Sequence, residues 1–123
     1  MKKTVLLYNF TEKELVTAKG ALLPLKYFIH VVQDEEKDCS VGYLAGFSDD
    51  GEKRETADSS MGKLLVMGGF GNSDLDRLLA AMRKTGFSRN VLKAVITPSN
   101  MNWSGPQLYA EILKEHKMMH GKK

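Results

Sequence analysis

Short apolar runs alternate with amphipathic stretches along this chain, and together they predict a β-α-β order that occurs twice. Apolar runs rich in strand-forming residues occupy 3–10 and 26–32, and the pattern returns at 63–67 and 91–97. The stretch between the two runs of each pair has apolar residues at helical spacing. The pattern therefore predicts four strands and two crossover helices.

Local signals mark the beginnings of these helices. Thr11 and Glu14 form a capping box, in which the side chain of each residue accepts a hydrogen bond from the backbone N–H of the other. In the second half, Asn72 or Ser73 is expected to cap the helix and Gly86 to end it. A last helix is predicted after residue 104 by another capping box and a further apolar stripe.

The two halves correspond residue by residue. A shift of sixty positions places Phe10 on Phe70, and most apolar positions of the first half fall on apolar positions of the second. The order predicts an α+β, ferredoxin-like fold, β-α-β-(insertion)-β-α-β, with an appended C-terminal helix. We expect a single domain, 1–123, composed of a first half (1–32), an acidic insertion (33–62) with one small docking element, and a second half with the C-terminal helix (63–120).

The four predicted strands are apolar on both faces. A sheet with one face in water alternates polar and apolar residues, so the second face is expected to be covered by the C-terminal helix, by the insertion or by another subunit. A three-layer α/β sheet is the alternative architecture.

Composition narrows the setting and the partners. The chain has 123 residues, 42% of them hydrophobic, one cysteine and a net charge of +3. It has no apolar run of membrane-spanning length and no signal-peptide core, so a cytoplasmic protein without a membrane partner is predicted. The region 33–62 holds nine acidic residues and three basic ones, so the positive charge lies in the rest of the chain. The third strand offers no aromatic residue on which a base could stack, which makes nucleic acid an unlikely partner.

Two loops contain the residues expected to bind a ligand. Parallel strands joined by a crossover end at the same edge of a sheet, so residues 68–73 and 97–103 should lie close together. The first loop is rich in glycine although the equivalent turn, 8–11, has none, which favours close packing or a ligand over the turn itself. The second loop has polar side chains that either satisfy local backbone groups or face a ligand. The candidate ligand-binding residues are Gly69, Gly71, Asn72, Ser73, Thr97, Ser99, Asn100, Asn102 and Trp103.

Catalytic and metal-binding patterns are not found. His116 and His120 have a spacing that can share a metal, but no third ligand stands at a suitable offset on that helix face. Cys39 is surrounded by acidic residues, which disfavour a reactive thiolate. The sequence therefore predicts no catalytic residue, no metal site and no cofactor.

Part of the chain resembles a known family. The strings LLVMGGF at 64–70, DLDRLL at 74–79 and LKAVITPSN at 92–100, followed by Trp103, resemble a small bacterial family, domain of unknown function 3783. The resemblance covers about 63–117, and Ser99 stands where the family pattern has threonine. It implies one folded unit and no particular activity, cofactor or substrate.

These observations rank three hypotheses. The first is a non-enzymatic binding or regulatory module whose partner is another protein or a second copy of the chain in a homodimer. The alternative is a small enzyme, or a protein that binds an anionic ligand such as phosphate, at the edge formed by the loops 68–73 and 97–103. The second alternative is weak binding of nucleic acid through a basic face.

Overall fold

A computed structural model describes residues 3–47, 62–85 and 91–120. The predicted helix end at Gly86 and residues 48–61 of the expected insertion lie outside these ranges. The main elements are β1 (Thr4–Tyr8), α1 (Glu12–Leu22), β2 (Phe28–Val32), α2 (Val41–Leu44), β3 (Leu64–Gly68), α3 (Asn72–Thr85), β4 (Leu92–Val95) and α4 (Gly105–His120). Two short 3-10 turns, Leu23–Leu25 and Asp34–Glu36, follow α1 and β2.

The strands form one mixed sheet in the order β2-β1-β3-β4. β1 pairs in parallel with β2, β3 pairs in parallel with β4, and the central strands β1 and β3 are antiparallel. The α+β class, the β-α-β order in each half and the appended final helix are confirmed. In each half, the crossover helix joins two strands that are neighbours in the sheet. In a split β-α-β unit, by contrast, a third strand lies between the two strands that the helix joins.

Helices cover both faces of the sheet. On one face, Leu7 and Met67 pack with residues of α1 and α3. On the other face, Leu6 and Val66 pack with residues of α2 and α4. The second face is thus covered from within the chain, which gives three layers and explains why the strands are apolar on both sides.

The two halves are related by an approximate two-fold axis. In the central antiparallel pair, Leu6 lies opposite Val66, its own counterpart at a shift of sixty. Further along, Ser40 forms an isolated antiparallel bridge with Ser104, its counterpart at a shift of sixty-four. The halves therefore meet through equivalent surfaces.

The correspondence between the two halves extends to the turns that follow β2 and β4. In the first half, the Gln33 N–H donates to Oε1 of Glu36 (3.0 Å), and in the second, the Thr97 N–H donates to Oδ1 of Asn100 (2.9 Å). Ser40 and Ser104 then cap α2 and α4, with matching hydroxyl contacts of 3.2 Å to the N–H three residues on.

Residues 33–44 thus have counterparts in 97–108. We propose that the first unit extends to at least Leu44, into the region expected to be an insertion. The expected docking element in that region is α2, a single helical turn. That the chain forms a single domain stays a prediction.

Reciprocal ion pairs hold the two units together. Lys3, just before β1, contacts Asp74 of α3 at 2.9 Å, and its counterpart Lys63, just before β3, contacts Glu14 of α1. Each strand start of one unit is therefore tied to the helix start of the other.

Candidate functional site

The loops after β3 and β4 meet at one edge of the sheet and enclose a cleft of about 250 Å³. Their strands run parallel, so the two loops leave the sheet in the same direction. The cleft is lined by Phe47, Gly69, Phe70, Ile96, Thr97, Pro98 and Met101. Most of the lining is apolar, and the hydroxyl of Thr97 is the polar side-chain group within it.

Phe47 reaches the cleft because α2 docks on the second unit. The Val41 N–H donates to the carbonyl of Trp103 (2.9 Å), and the Gly42 N–H donates to that of Met101 (2.8 Å). The Phe47 N–H then bonds the Gly42 carbonyl at 2.7 Å, which turns the chain back towards the sheet. A Cβ on Gly42 would lie 2.7 Å from the Met101 carbonyl oxygen, so this approach requires glycine. The sequence offered only the short apolar stretch 41–47 as a signal for this wall.

Two glycines of the first loop have structural reasons. Gly69 has φ = +76°, and its counterpart Asn9 has φ = +62°. The turn therefore does need a left-handed residue, and the first unit meets that need with asparagine, which tolerates this region. The turn thus does not demand glycine itself, but its left-handed conformation is one reason for Gly69 that the comparison of the two sequences did not reveal. Gly68 lies against Phe47, whose Cε2 would be 2.7 Å from an added Cβ.

The start of α3 differs from the expected one. Asn72 and Ser73 lie within its first turn, and Gly71 stands directly before it, where Thr11 stands before α1. The Gly71 N–H donates to Oδ2 of Asp74 at 3.0 Å, as the Thr11 N–H donates to Glu14. Neither Asn72 nor Ser73 is therefore the residue that precedes the helix.

Asp74 follows this loop directly, in the first turn of α3, and the sequence reasoning missed it. Its side chain is almost completely buried, and Oδ1 accepts from Lys3 at 2.9 Å and from the Tyr27 hydroxyl at 3.4 Å. The Gly71 N–H, followed by the Lys3 side chain, holds the pKa of the Asp74 carboxyl below its usual range. The helix start is thus occupied by a carboxylate that stays ionised at neutral pH. The sequence signal that could have identified Asp74 is Glu14, the acidic residue at the equivalent position sixty residues earlier.

The second loop is held in shape by Asn100. Besides accepting from Thr97, this side chain donates from Nδ2 to the carbonyl of Val95 at 3.1 Å. Trp103 is half-buried against the apolar cluster beneath α4. Both side chains therefore have structural roles, as one of the two interpretations of this loop expected.

The cleft contains some of the candidate residues and not others. Gly69 and Thr97 line it. The remaining candidates lie on the same two loops or in the first turn of α3, but outside the lining: Gly71, Asn72, Ser73, Ser99, Asn100, Asn102 and Trp103.

The first unit provides a comparison for the cleft residues. Its equivalent turn has Gln33, Asp34 and Lys37 where the second unit has Thr97, Pro98 and Met101. Two backbone hydrogen bonds recur, donated by Glu36 and Cys39 in the first unit and by Asn100 and Trp103 in the second, while the Met101 N–H donates in addition to the Thr97 carbonyl (3.0 Å). The turn can therefore be built from polar and charged side chains. The turn itself therefore does not require the side chains of Pro98 and Met101. The cleft that these side chains line is a reason for their presence.

Other chemistry is sparse in the described ranges. No group of three or more His, Cys, Asp or Glu residues there could hold a metal ion. His30 is half-buried, with its Nε2 2.9 Å from Oε1 of Glu36, and Cys39 is buried. Among the same residues, no helix has the length and apolarity needed to cross a bilayer.

Comparison with known proteins agrees with the resemblance in the second half. Residues 63–119 match a family model described as Domain of unknown function (DUF3783). The match runs from just before β3 to the end of α4, and so covers the whole second unit. Neither a curated protein nor a solved structure matches the chain.

Proposed function

We propose that this chain, whose residues 63–119 belong to the domain-of-unknown-function family DUF3783, is a non-enzymatic binding module that holds a small ligand in the cleft between its two loops. The observation that supports this most directly is the replacement of Asp34 and Lys37 in one unit by Pro98 and Met101 in the other. The two turns share two backbone hydrogen bonds and the side-chain contact of Glu36 or Asn100, and the apolar pair stands where a solvent-accessible cleft opens.

The position and shape of the cleft are typical of ligand sites. Such sites are concave, largely apolar, and often lie outside the carboxyl ends of parallel strands, with a few polar groups for orientation. This cleft lies outside the ends of β3 and β4 and combines five apolar side chains with the Thr97 hydroxyl. Its lining includes no acid, base or thiol, which favours binding over catalysis.

Coverage of the sheet bears on the hypothesis of a protein partner or homodimer. That hypothesis was based on a second apolar face, which α2 and α4 cover within the chain. Side chains also occupy carbonyls on both outer strands: Gln33 donates to Val31 on β2, and Asn100 donates to Val95 on β4. Such contacts hinder pairing with another strand. The cleft therefore supports ligand binding better than the sheet supports self-association.

The test is a ligand screen by amide NMR on the full-length chain. A panel of nucleotides, phosphorylated metabolites and neutral aromatic compounds is added to labelled protein, and shifts are followed at Gly69, Thr97 and Met101. Binding in the cleft should move these amides by a saturable amount for at least one class of compound. The proposal fails if no compound moves them.

A double variant provides the control for the site. Pro98→Asp with Met101→Lys installs the residues that the first unit has at the same positions, keeps the net charge, and should fold. It should bind any cleft ligand at least about tenfold more weakly, a loss of about 1.4 kcal/mol. Ser99→Glu makes the same kind of exchange outside the cleft and should bind like the wild type. Unchanged binding by the double variant would place the ligand elsewhere.

A further inference from the structure

The walls of the cleft show which class of ligand it would hold. Phe47 and Phe70 supply two aromatic rings, and Met101 adds a thioether, a group that packs favourably against aromatic rings. Ile96 and Pro98 complete the apolar wall. Aromatic rings stack or meet edge to face, so these walls suit a flat ring better than a branched or highly hydrated group.

The size of the cleft agrees with this chemistry. A cavity of about 150 Å³ lined by apolar side chains is large enough to bind benzene in an engineered protein. The present cleft, at about 250 Å³, has room for one or two fused rings. Thr97 supplies one hydroxyl that can hydrogen-bond a small polar substituent of the ring.

The charges around the cleft disfavour an anion. None of the seven lining residues is cationic, so a phosphate placed there would lose water without gaining an ion pair. The first loop leads into α3, whose start is occupied by Asp74, and the negative charge of Asp74 is already paired with Lys3 and the Gly71 N–H. The Gly71 N–H therefore already donates within the protein and is not left for an anion.

Building on the proposed function, we infer that the cleft selects a neutral aromatic ligand of one or two rings and rejects the same ring when it carries a phosphate. The selection comes from apolar walls contributed by both units and from a lining without a cation.

Two probes with the same ring, one neutral and one carrying a phosphate, test the inference: 2-naphthol and 2-naphthyl phosphate. Each is titrated into the full-length chain, and amide shifts of Gly69, Thr97 and Met101 are followed. For a ligand of this size we expect 2-naphthol to bind with a dissociation constant on the order of 0.1–1 mM. The phosphate ester should bind at least about tenfold more weakly, and the Pro98→Asp/Met101→Lys variant should lose most of the binding of 2-naphthol.

The outcomes separate the inference from the proposed function. If 2-naphthyl phosphate binds as well as 2-naphthol or better at these amides, the cleft is a ligand site and the inference about its ligand is wrong. If neither probe moves them but a nucleotide or phosphorylated metabolite of the panel does, the inference again fails and the proposed function remains. Another neutral aromatic compound that moves them supports the inference. If no compound moves them, both fail. Because Ser99→Glu changes only a neighbouring exposed side chain, its loss of naphthol binding would also contradict the inference.

Discussion

Gly68→Ala should displace the wall of the cleft that the first unit provides. A Cβ built on Gly68 would lie 2.7 Å from Cε2 and 2.9 Å from Cζ of Phe47, and 3.1 Å from Cδ1 of Ile96. Carbon atoms in contact prefer a separation of about 3.5–4.0 Å. The ring of Phe47 must therefore withdraw by about 1 Å, and because Phe47 lines the cleft, the cleft must change shape.

The expected cost follows from two opposing effects. Adding a methyl group to a tightly packed site typically costs about 1–3 kcal/mol. Replacing glycine by alanine restricts the unfolded chain and returns about 0.4–1 kcal/mol. The atoms that clash are the ends of side chains and can move, so we expect a net loss of about 1–2 kcal/mol, which for a chain of this length lowers the thermal midpoint by about 4–8 °C.

Urea unfolding followed by circular dichroism measures this loss, and two further variants control it. Gly20, within α1, has no atom within 4 Å of an added Cβ, so Gly20→Ala should stabilise the protein by about 0.5–1 kcal/mol. In a Phe47→Ala background, Gly68→Ala should lose most of its cost, a coupling of about 1 kcal/mol. The reasoning is refuted if Gly68→Ala is as stable as the wild type, or if its cost is the same with and without the Phe47 ring.

Three further predictions concern stability. In the native state the pKa of Asp74 lies below its ordinary value of 3.8. As the pH falls through 3.8, the carboxyl of Asp74 is therefore protonated in the unfolded chain before it is protonated in the folded one. The free energy of unfolding falls over this range of pH. Asp74→Asn should therefore flatten the acid side of a stability profile measured by urea unfolding from about pH 2.5 to about pH 7; a profile with the wild-type slope would contradict the assignment. Gly69→Ala should cost about 1–2 kcal/mol because φ is +76° there. Asn9→Gly keeps φ = +62° accessible and gives up the side-chain hydrogen bond to the Gly62 carbonyl (3.1 Å), so it should lower urea stability less than Gly69→Ala; equal losses would contradict this. The Tyr8 hydroxyl is buried without a hydrogen-bond partner among the described residues, and burial raises the pKa of Tyr8 far above its usual range. Tyr8→Phe removes this unpaired group and should leave the thermal midpoint unchanged or higher; a clear fall would reveal a partner.

Periodicity was sufficient to predict the sheet and its crossover helices, because each strand and helix buries a face whose spacing is visible in the sequence. The turn repeat at 33–36 and 97–100 was not visible, since the two segments share no residue. What they share is a side-chain oxygen at the fourth position, a carboxylate in Glu36 and an amide in Asn100, and either accepts the same backbone N–H. A comparison of residue types misses an equivalence based on one acceptor atom.

The candidate site could be located from the sequence, but its lining could not be predicted in full. The edge followed from the topology of parallel crossovers, which brings Gly69 and Thr97 together regardless of detail. Phe47 could not be found in this way, because its place depends on hydrogen bonds from Val41 and Gly42 to a loop sixty residues away. The polar residues of the loops attracted attention because they are unusual, yet Asn100 uses its side chain to hold the backbone.

The two units separate what the fold requires from what it permits. Both keep the left-handed residue, the acidic residue at the helix start and the serine cap, so these features belong to the fold. They differ at the turn that follows β2 in the first unit and β4 in the second. This turn has charged side chains in the first unit, whereas in the second its side chains line an apolar cleft. The family match is confined to the second unit, while Phe47 comes from the first. A protein that has only the matched segment therefore needs another source for this wall of the cleft, so the site as it stands here requires both units.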